Sequence, residues 1–280
     1  MTGPLAMHRP LIALLLTLLA ALALPGAGQA QDSALRPLLD GNAARGWEAV
    51  GRIDVAGGGF CTGTLIAPDR VLTAAHCLFD RETGRRLDTA DLEFRAGLRG
   101  GRAEASRGLR RAVIHPDYVF TRAPSAGEVT KDLALLELDQ PIRNTRIHPF
   151  RVSRQVGRGT EVGVVSYAKG RAGHPSLQEI CNVLGTAGPA LVMDCAVDFG
   201  ASGSPIFRDE AGAMRLVSVV SSMAELNGRR VALGMDLARP LATLRAALET
   251  DTEVFDTVPG RARVLAPGER SETGARFVRP

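Results

Sequence analysis

Short apolar runs recur along the chain, punctuated by Gly, Pro, Asp and Asn. Residues 47–55 partly alternate between apolar and polar positions, and 71–73, 92–94, 112–114 and 133–138 are further apolar runs. A second set follows at 161–167, 177–184, 190–197, 206–207, 216–222 and 230–235. Runs of this kind bounded by turn residues predict strands, and many of them in one chain predict an all-β barrel or sandwich. Periodicity alone does not choose between those two. One segment has a different period. Leu241, Leu244 and Leu248 fall on one face of a helix over 240–248, and Pro240 suits its first turn. No internal repeat is visible.

The ends of the chain lack this pattern. Residues 11–24 are apolar except for Thr17, after a positive start at Arg9. Pro25-Gly26 breaks the run, and Gly28-Gln29-Ala30 supplies small residues at the cleavage positions. This is the form of a secretory signal peptide over residues 1–30. An uncleaved anchor is the alternative, but the run is short for a span of about 20 residues. No other segment could cross a membrane. Residues 31–46 read as a linker or short pro-segment. Residues 251–280, rich in Gly, Pro, Arg and Thr, read as a mostly disordered tail. The 280 residues suffice for one large domain or two moderate ones.

Charge and cysteines narrow the function classes. The net charge is +4, and Arg9 belongs to the leader. No dense basic cluster interleaved with aromatics occurs, which argues against nucleic-acid binding. The most basic stretch, Arg102, Arg107, Arg110 and Arg111, reads as a solvated strand or loop face. Four cysteines, Cys61, Cys77, Cys181 and Cys195, can pair in three ways. Export makes disulfides plausible. The close Cys-x-x-Cys spacing of a zinc site is absent, so no metal and no cofactor are expected.

Three segments carry candidate chemistry: Leu72-Thr73-Ala74-Ala75-His76-Cys77, Asp132-Leu133-Ala134-Leu135-Leu136 and Gly200-Ala201-Ser202-Gly203-Ser204-Pro205. A serine hydroxyl is a poor nucleophile at neutral pH and needs a base within reach. A histidine supplies the base, and a carboxylate holds its tautomer and stabilises the imidazolium. Gly200 allows a tight turn in which backbone N–H groups converge on the oxyanion of an attacked carbonyl, usually a large catalytic effect. His115, His148 and His174 sit in turn-like or loop-like contexts and read as structural.

From about Trp47 to about Leu248 the chain resembles the trypsin-like (chymotrypsin-fold) serine proteases, in the bacterial secreted branch related to the glutamyl endopeptidases. The order His, Asp, Ser matches that family. Cys61-Thr62-Gly63-Thr64-Leu65-Ile66 and His115-Pro116-Asp117-Tyr118 add to the likeness. The resemblance implies two six-stranded antiparallel β-barrels, over 47–150 and 151–250, with the active site in the cleft between them and a short C-terminal helix. It implies Ser202 as nucleophile, His76 as general base and acid, and Asp132 as orienting carboxylate. The backbone N–H groups of Gly200 and Ser202 become the oxyanion donors. The family pattern also implies Cys61 with Cys77 and, with it, Cys181 with Cys195. The function it implies is a secreted or periplasmic endopeptidase acting on peptide or protein substrates, expected as a monomer. A non-catalytic binding protein on the same fold is the alternative, and an esterase with the same acyl chemistry is a third.

The chain departs from the animal digestive enzymes in two places. Ala201 stands where those relatives carry the aspartate that pairs with an inserted N-terminus, and no Ile-Val-Gly-Gly segment precedes Cys61. The oxyanion turn is therefore expected to form without N-terminal insertion. The implied substrate pocket has Ala196 at its floor and Ser221 and Ser222 in its wall, with Val220 where glutamyl endopeptidases carry a histidine. A small or medium apolar side chain is the expectation for that pocket. Asp198 complicates it, because it lies in the same segment.

Overall fold

The structure, a computed structural model, describes Gly3, residues 33–153 and 156–250, and the backbone of Val254–Asp256. The expected signal peptide over 1–30 lies outside the described residues, except Gly3, and so does the expected tail apart from 254–256.

The first half holds β1 (Arg36–Pro37), β2 (Val50–Val55), β3 (Phe60–Ala67), β4 (Arg70–Thr73), β5 (Leu92–Ala96), β6 (Ala105–Ile114) and β7 (Ala134–Leu138). The second holds β8 (Glu161–Ser166), β9 (Ser176–Ala187), β10 (Ala190–Met193), β11 (Pro205–Glu210), β12 (Ala213–Leu226) and β13 (Arg229–Gly234). A one-turn helix α1 (Ala126–Val129) precedes β7, α2 (Ala238–Glu249) follows β13, and β14 (Val254–Asp256) ends the described chain. The order β5-β2-β3-β4-β7-β6 closes on itself through the β5–β6 ladder, giving a six-stranded antiparallel barrel. The order β8-β9-β10-β13-β12-β11 closes through β11 and β8, giving the second. Among the described residues no helix is long and apolar enough to cross a membrane.

Three apolar clusters hold this arrangement. Ile53, Leu65, Val71, Phe94 and Leu136 fill the first barrel, and Val164, Val183, Met193, Ile206 and Val217 the second. Between the barrels pack Leu72, Leu135, Val165, Tyr167 and Phe207, extended by Leu241 and Leu244 of α2. Burying one such side chain contributes about 1.5–3 kcal/mol, at the junction as in the barrel interiors. The helix expected over 240–248 is α2, with Leu241, Leu244 and Leu248 as its buried face.

Some elements differ from the sequence expectation. The pattern of β3 is hidden because five consecutive residues, 61–65, are buried, so nothing alternates. The segment expected as a linker or short pro-segment is docked: Arg36 and Pro37 pair with Leu177 and Ser176, and Leu38 and Ala44 are buried. That pairing depends on β9, far along the chain, so local composition does not reveal it. Of the arginine-rich stretch, Arg107, Arg110 and Arg111 lie in β6, a strand as expected, and Arg110 and Arg111 in addition bond to the buried carboxylate of Glu137. Part of the tail segment is ordered as β14, which adds to the β6 edge at Val113, Ala112 and Arg111.

Candidate active site

His76 sits in a 3-10 turn, Ala75–Leu78, that follows β4 directly. Ala74 and Ala75 are fully buried, which leaves the histidine as the part-exposed residue of the turn. Asp132 comes from the short link between α1 and β7, where its N–H donates to Val129 O at 3.3 Å. A capping box formed by Ser125 and Glu128 fixes the start of α1. The Asp132 carboxylate grips His76 twice. Oδ1 accepts the His76 backbone N–H at 2.8 Å, and Oδ2 meets Nδ1 at 2.7 Å. A carboxylate accepts, so the proton of the second contact sits on Nδ1 and the neutral ring presents a lone pair at Nε2. Asp132 is 3% exposed, and a third donor, Ser221 Oγ at 2.5 Å, reaches its Oδ2 from β12 of the second barrel. Sequence reasoning placed Ser221 only in the pocket wall. Its bond to Asp132 has no local signal, since 89 positions separate the two.

Ser202 lies in the turn before β11. Gly200 there has φ +94° and Gly203 φ +79°, values that side-chain-bearing residues rarely adopt. Neither glycine has room for a Cβ: one at Gly200 would fall 2.4 Å from the Phe60 ring, and one at Gly203 2.1 Å from Thr73 Oγ1. Backbone bonds hold the rest of the turn. Ala201 N–H donates to Asp198 O, Gly203 N–H to Val220 O and Ser204 N–H to Ala201 O, at 2.8–3.0 Å. The carbonyl of Ser202 accepts from Thr62 N–H at 2.9 Å, and that of Gly200 from Thr62 Oγ1 at 3.1 Å. Among the described residues, the N–H groups of Gly200 and Ser202 have no protein acceptor.

His76, Asp132 and Ser202 line one hollow of about 680 Å³ at the junction of the barrels. Ser221 and Ser222 line it too, with Val197, Val220, Met223 and Leu233 as its apolar wall. Ala196 does not: it is exposed, and its N–H donates to Gln178 Oε1 at 2.7 Å. Its neighbour Val197 lines the hollow instead. Asp198 reaches the hollow but is engaged. Its Oδ1 accepts Phe199 N–H at 2.8 Å. Burial pushes the Arg171 guanidinium below its usual range, and the nearby Asp198 carboxylate works against that. Tyr118 also lines the hollow, its hydroxyl pushed well above the usual range by burial and by the carboxylates of Asp132 and Glu128.

The disulfides are Cys61–Cys77 and Cys181–Cys195. The first ties β3 to the turn that carries His76, and the second ties β9 to the chain leaving β10. Cys61, His76 and Cys77 lie close enough together to suggest a metal group, but the two sulfurs are bonded to each other and offer no thiolates.

The trypsin-like peptidase domain family matches residues 61–215. The glutamyl endopeptidase of Bacillus licheniformis is 26% identical over 184 residues, 61% of this chain and 52% of that protein. The trypsin of Phaedon cochleariae is 33% identical over 95 residues, 33% of each chain. Serine protease 23 of Homo sapiens is 28% identical over 165 residues, 52% of this chain and 42% of that protein. The chain thus spans between about a third and a half of the length of these curated relatives. A solved structure of a Glu endopeptidase in complex with MPD shares the fold at a TM-score of 0.62 and 21% identity, covering 78% of this chain and 97% of that one. With the family match spanning more than half of its residues, the chain belongs to the trypsin-like peptidases.

Proposed function

We propose that this protein is an exported serine endopeptidase that hydrolyses peptide bonds through an acyl-enzyme. The observation that carries this reading is the double hold of Asp132 on His76 inside the hollow that Ser202 also lines. In the reaction His76 Nε2 takes the Ser202 proton as Oγ attacks the scissile carbonyl. The carbonyl oxygen, now negative, is met by the N–H groups of Gly200 and Ser202. His76 then gives its proton to the leaving amine, and water repeats the sequence to release the acid. Asp132 stabilises the imidazolium at each stage. The side chain before the scissile bond enters against Val197, Val220, Met223 and Leu233, which favours a small or medium apolar group. Two disulfides support action in an oxidising compartment outside the cytoplasm.

A fluorophosphonate probe tests the reading, with Ser202→Ala as control. Labelling of the wild type alone, together with turnover of a casein-type substrate, is the expected result. A folded wild-type protein that neither labels nor cleaves would overturn it.

A further inference from the structure

The turn that carries Ser202 has to hold two N–H groups free and aimed at one point, yet the side chain between them offers no polar anchor beyond the backbone bonds of Ala201 to Asp198 and Ser204. Ala201 is apolar and 1% exposed. The fastening comes from the other barrel. Thr62, in β3, is fully buried and uses every polar atom it has. Its N–H donates to Ser202 O at 2.9 Å. Its hydroxyl donates to Gly200 O at 3.1 Å and accepts Tyr167 N–H at 3.1 Å. Its carbonyl accepts Thr73 Oγ1 at 2.8 Å. The alternative acceptor for the hydroxyl, Tyr167 O, is 3.5 Å away and too long to compete.

The two carbonyls that Thr62 holds alternate with the two free N–H groups. Gly200 O belongs to the peptide unit after the Gly200 N–H, and Ser202 O to the unit after the Ser202 N–H. The fixed units, 200–201 and 202–203, flank the unit that carries the Ser202 N–H, and 200–201 also follows the unit that carries the Gly200 N–H, so holding them limits the rotation that would turn a donor away. We propose that Thr62 is the positioning residue of the oxyanion turn, its side-chain hydroxyl holding the Gly200 carbonyl so that both donors converge without an ion pair. The role rests on the endopeptidase reading above. Thr62 touches no substrate; it acts through Gly200 and Ser202. It also ties the turn to the docking of the barrels, because Thr62, Tyr167 and Gly200 come from three separate segments.

The test compares Thr62→Val, which keeps the shape and removes the hydroxyl, with Thr62→Ser, which keeps the hydroxyl. Removing an oxyanion donor outright costs about 10²–10³ in kcat, so loosening one is expected to cost about 10- to 100-fold. The loss should fall on kcat with KM within about twofold, since ground-state binding does not use the turn. Affinity for a peptide trifluoromethyl ketone, which forms an oxyanion on Ser202, should fall in parallel, while affinity for the cleaved peptide product should not. Thr62→Ser should recover most of the wild-type kcat. Thr62→Ala, which leaves room for a bridging water, serves where Thr62→Val does not fold. Equal kcat in wild type and Thr62→Val, or equal losses for ketone and product, would overturn the positioning role and leave the endopeptidase reading intact. A wild type inert to fluorophosphonate would remove both.

Discussion

Ser221 Oγ donates to Asp132 Oδ2 at 2.5 Å across the junction of the two barrels. Asp132 and His76 both belong to the first barrel, so this bond lets the second barrel sense and hold the orientation of their pair. A hydrogen bond to a charged group is worth about 1.5–3 kcal/mol, and in the proposed reaction part of that bears on the imidazolium of the transition state. Ser221→Ala is expected to lower kcat about 5- to 10-fold. Ser221→Thr, which keeps the hydroxyl, is the control. Steady-state kinetics on a peptide anilide reads the effect; a loss confined to KM would assign Ser221 to the substrate pocket alone.

Asp132→Asn keeps the shape of the side chain and changes what it can accept. An amide beside Nδ1 can donate, which stabilises the tautomer with the proton on Nε2 and leaves no base for Ser202. Turnover at neutral pH should fall about 10⁴-fold, with binding of a product peptide unchanged. A loss of less than about tenfold would mean that the two contacts of Asp132 with His76 only support the fold.

Much of this site is legible in the sequence because its chemistry is local. Gly200 announces the turn before Ser202, the motif around His76 carries the family resemblance, and the buried stripe of α2 follows from spacing alone. What stays hidden is set by contacts across the fold. Thr62 gains its role from Gly200 and Ser202, 138 positions away and beyond. β3 shows no alternation because both its faces are covered. The strand pairing of Arg36 and Pro37 exists only once β9 is formed. Ala196 stands at the floor of the pocket that the resemblance implies, yet it is exposed and its N–H is held by Gln178.

The glycines of the Ser202 turn invite a paired substitution. Gly203 and Gly212 have nearly the same backbone, φ +79° and +83°. A Cβ at Gly212 meets nothing within 4 Å, whereas one at Gly203 would overlap Thr73 Oγ1 at 2.1 Å and Thr62 O at 2.2 Å. Gly212→Ala should therefore cost only the left-handed strain, about 1–2 kcal/mol, and leave kcat alone. Gly203→Ala should cost clearly more and lower kcat, because the overlap displaces the residues that hold the turn. Denaturant unfolding of the two variants gives the comparison. Equal costs would show that the turn has slack.

Substrate choice follows from the lining of the hollow. Arg81 and Arg122 also line the hollow, but a side chain lodged against Val197, Val220, Met223 and Leu233 meets no partner for a charge, and a buried unpaired charge is costly. Cleavage after Val, Leu or Met should exceed cleavage after Lys or Glu by at least about tenfold in kcat/KM. Asp198 does not alter this, since its Oδ1 is taken by Phe199 N–H and Arg171 lies nearby. Asp198→Asn should thus leave the preference unchanged. A peptide library read by mass spectrometry decides the matter, and predominant cleavage after Arg would sink the assignment.

Alkaline pH should loosen the junction of the barrels. Tyr167 is fully buried there, and its hydroxyl donates to Leu98 O at 3.0 Å. Burial raises its pKa well above the ordinary value of 10.0, against the opposing pull of Arg99, Arg52 and Arg95. The folded state therefore keeps the proton at a pH where the unfolded chain releases it. Stability is fully present below about pH 10 and falls as pH rises above it, by up to about 1.4 kcal/mol per pH unit for one such group. Tyr118, the other tyrosine of the chain, is shifted the same way by burial and by Asp132 and Glu128. Tyr167→Phe should lower stability at neutral pH by about 1 kcal/mol through the lost hydrogen bond, yet make the decline above pH 10 shallower. Urea unfolding at several pH values between neutrality and about pH 11 measures both effects. An unchanged alkaline slope in Tyr167→Phe would show that this hydroxyl titrates alike in the folded and unfolded chain.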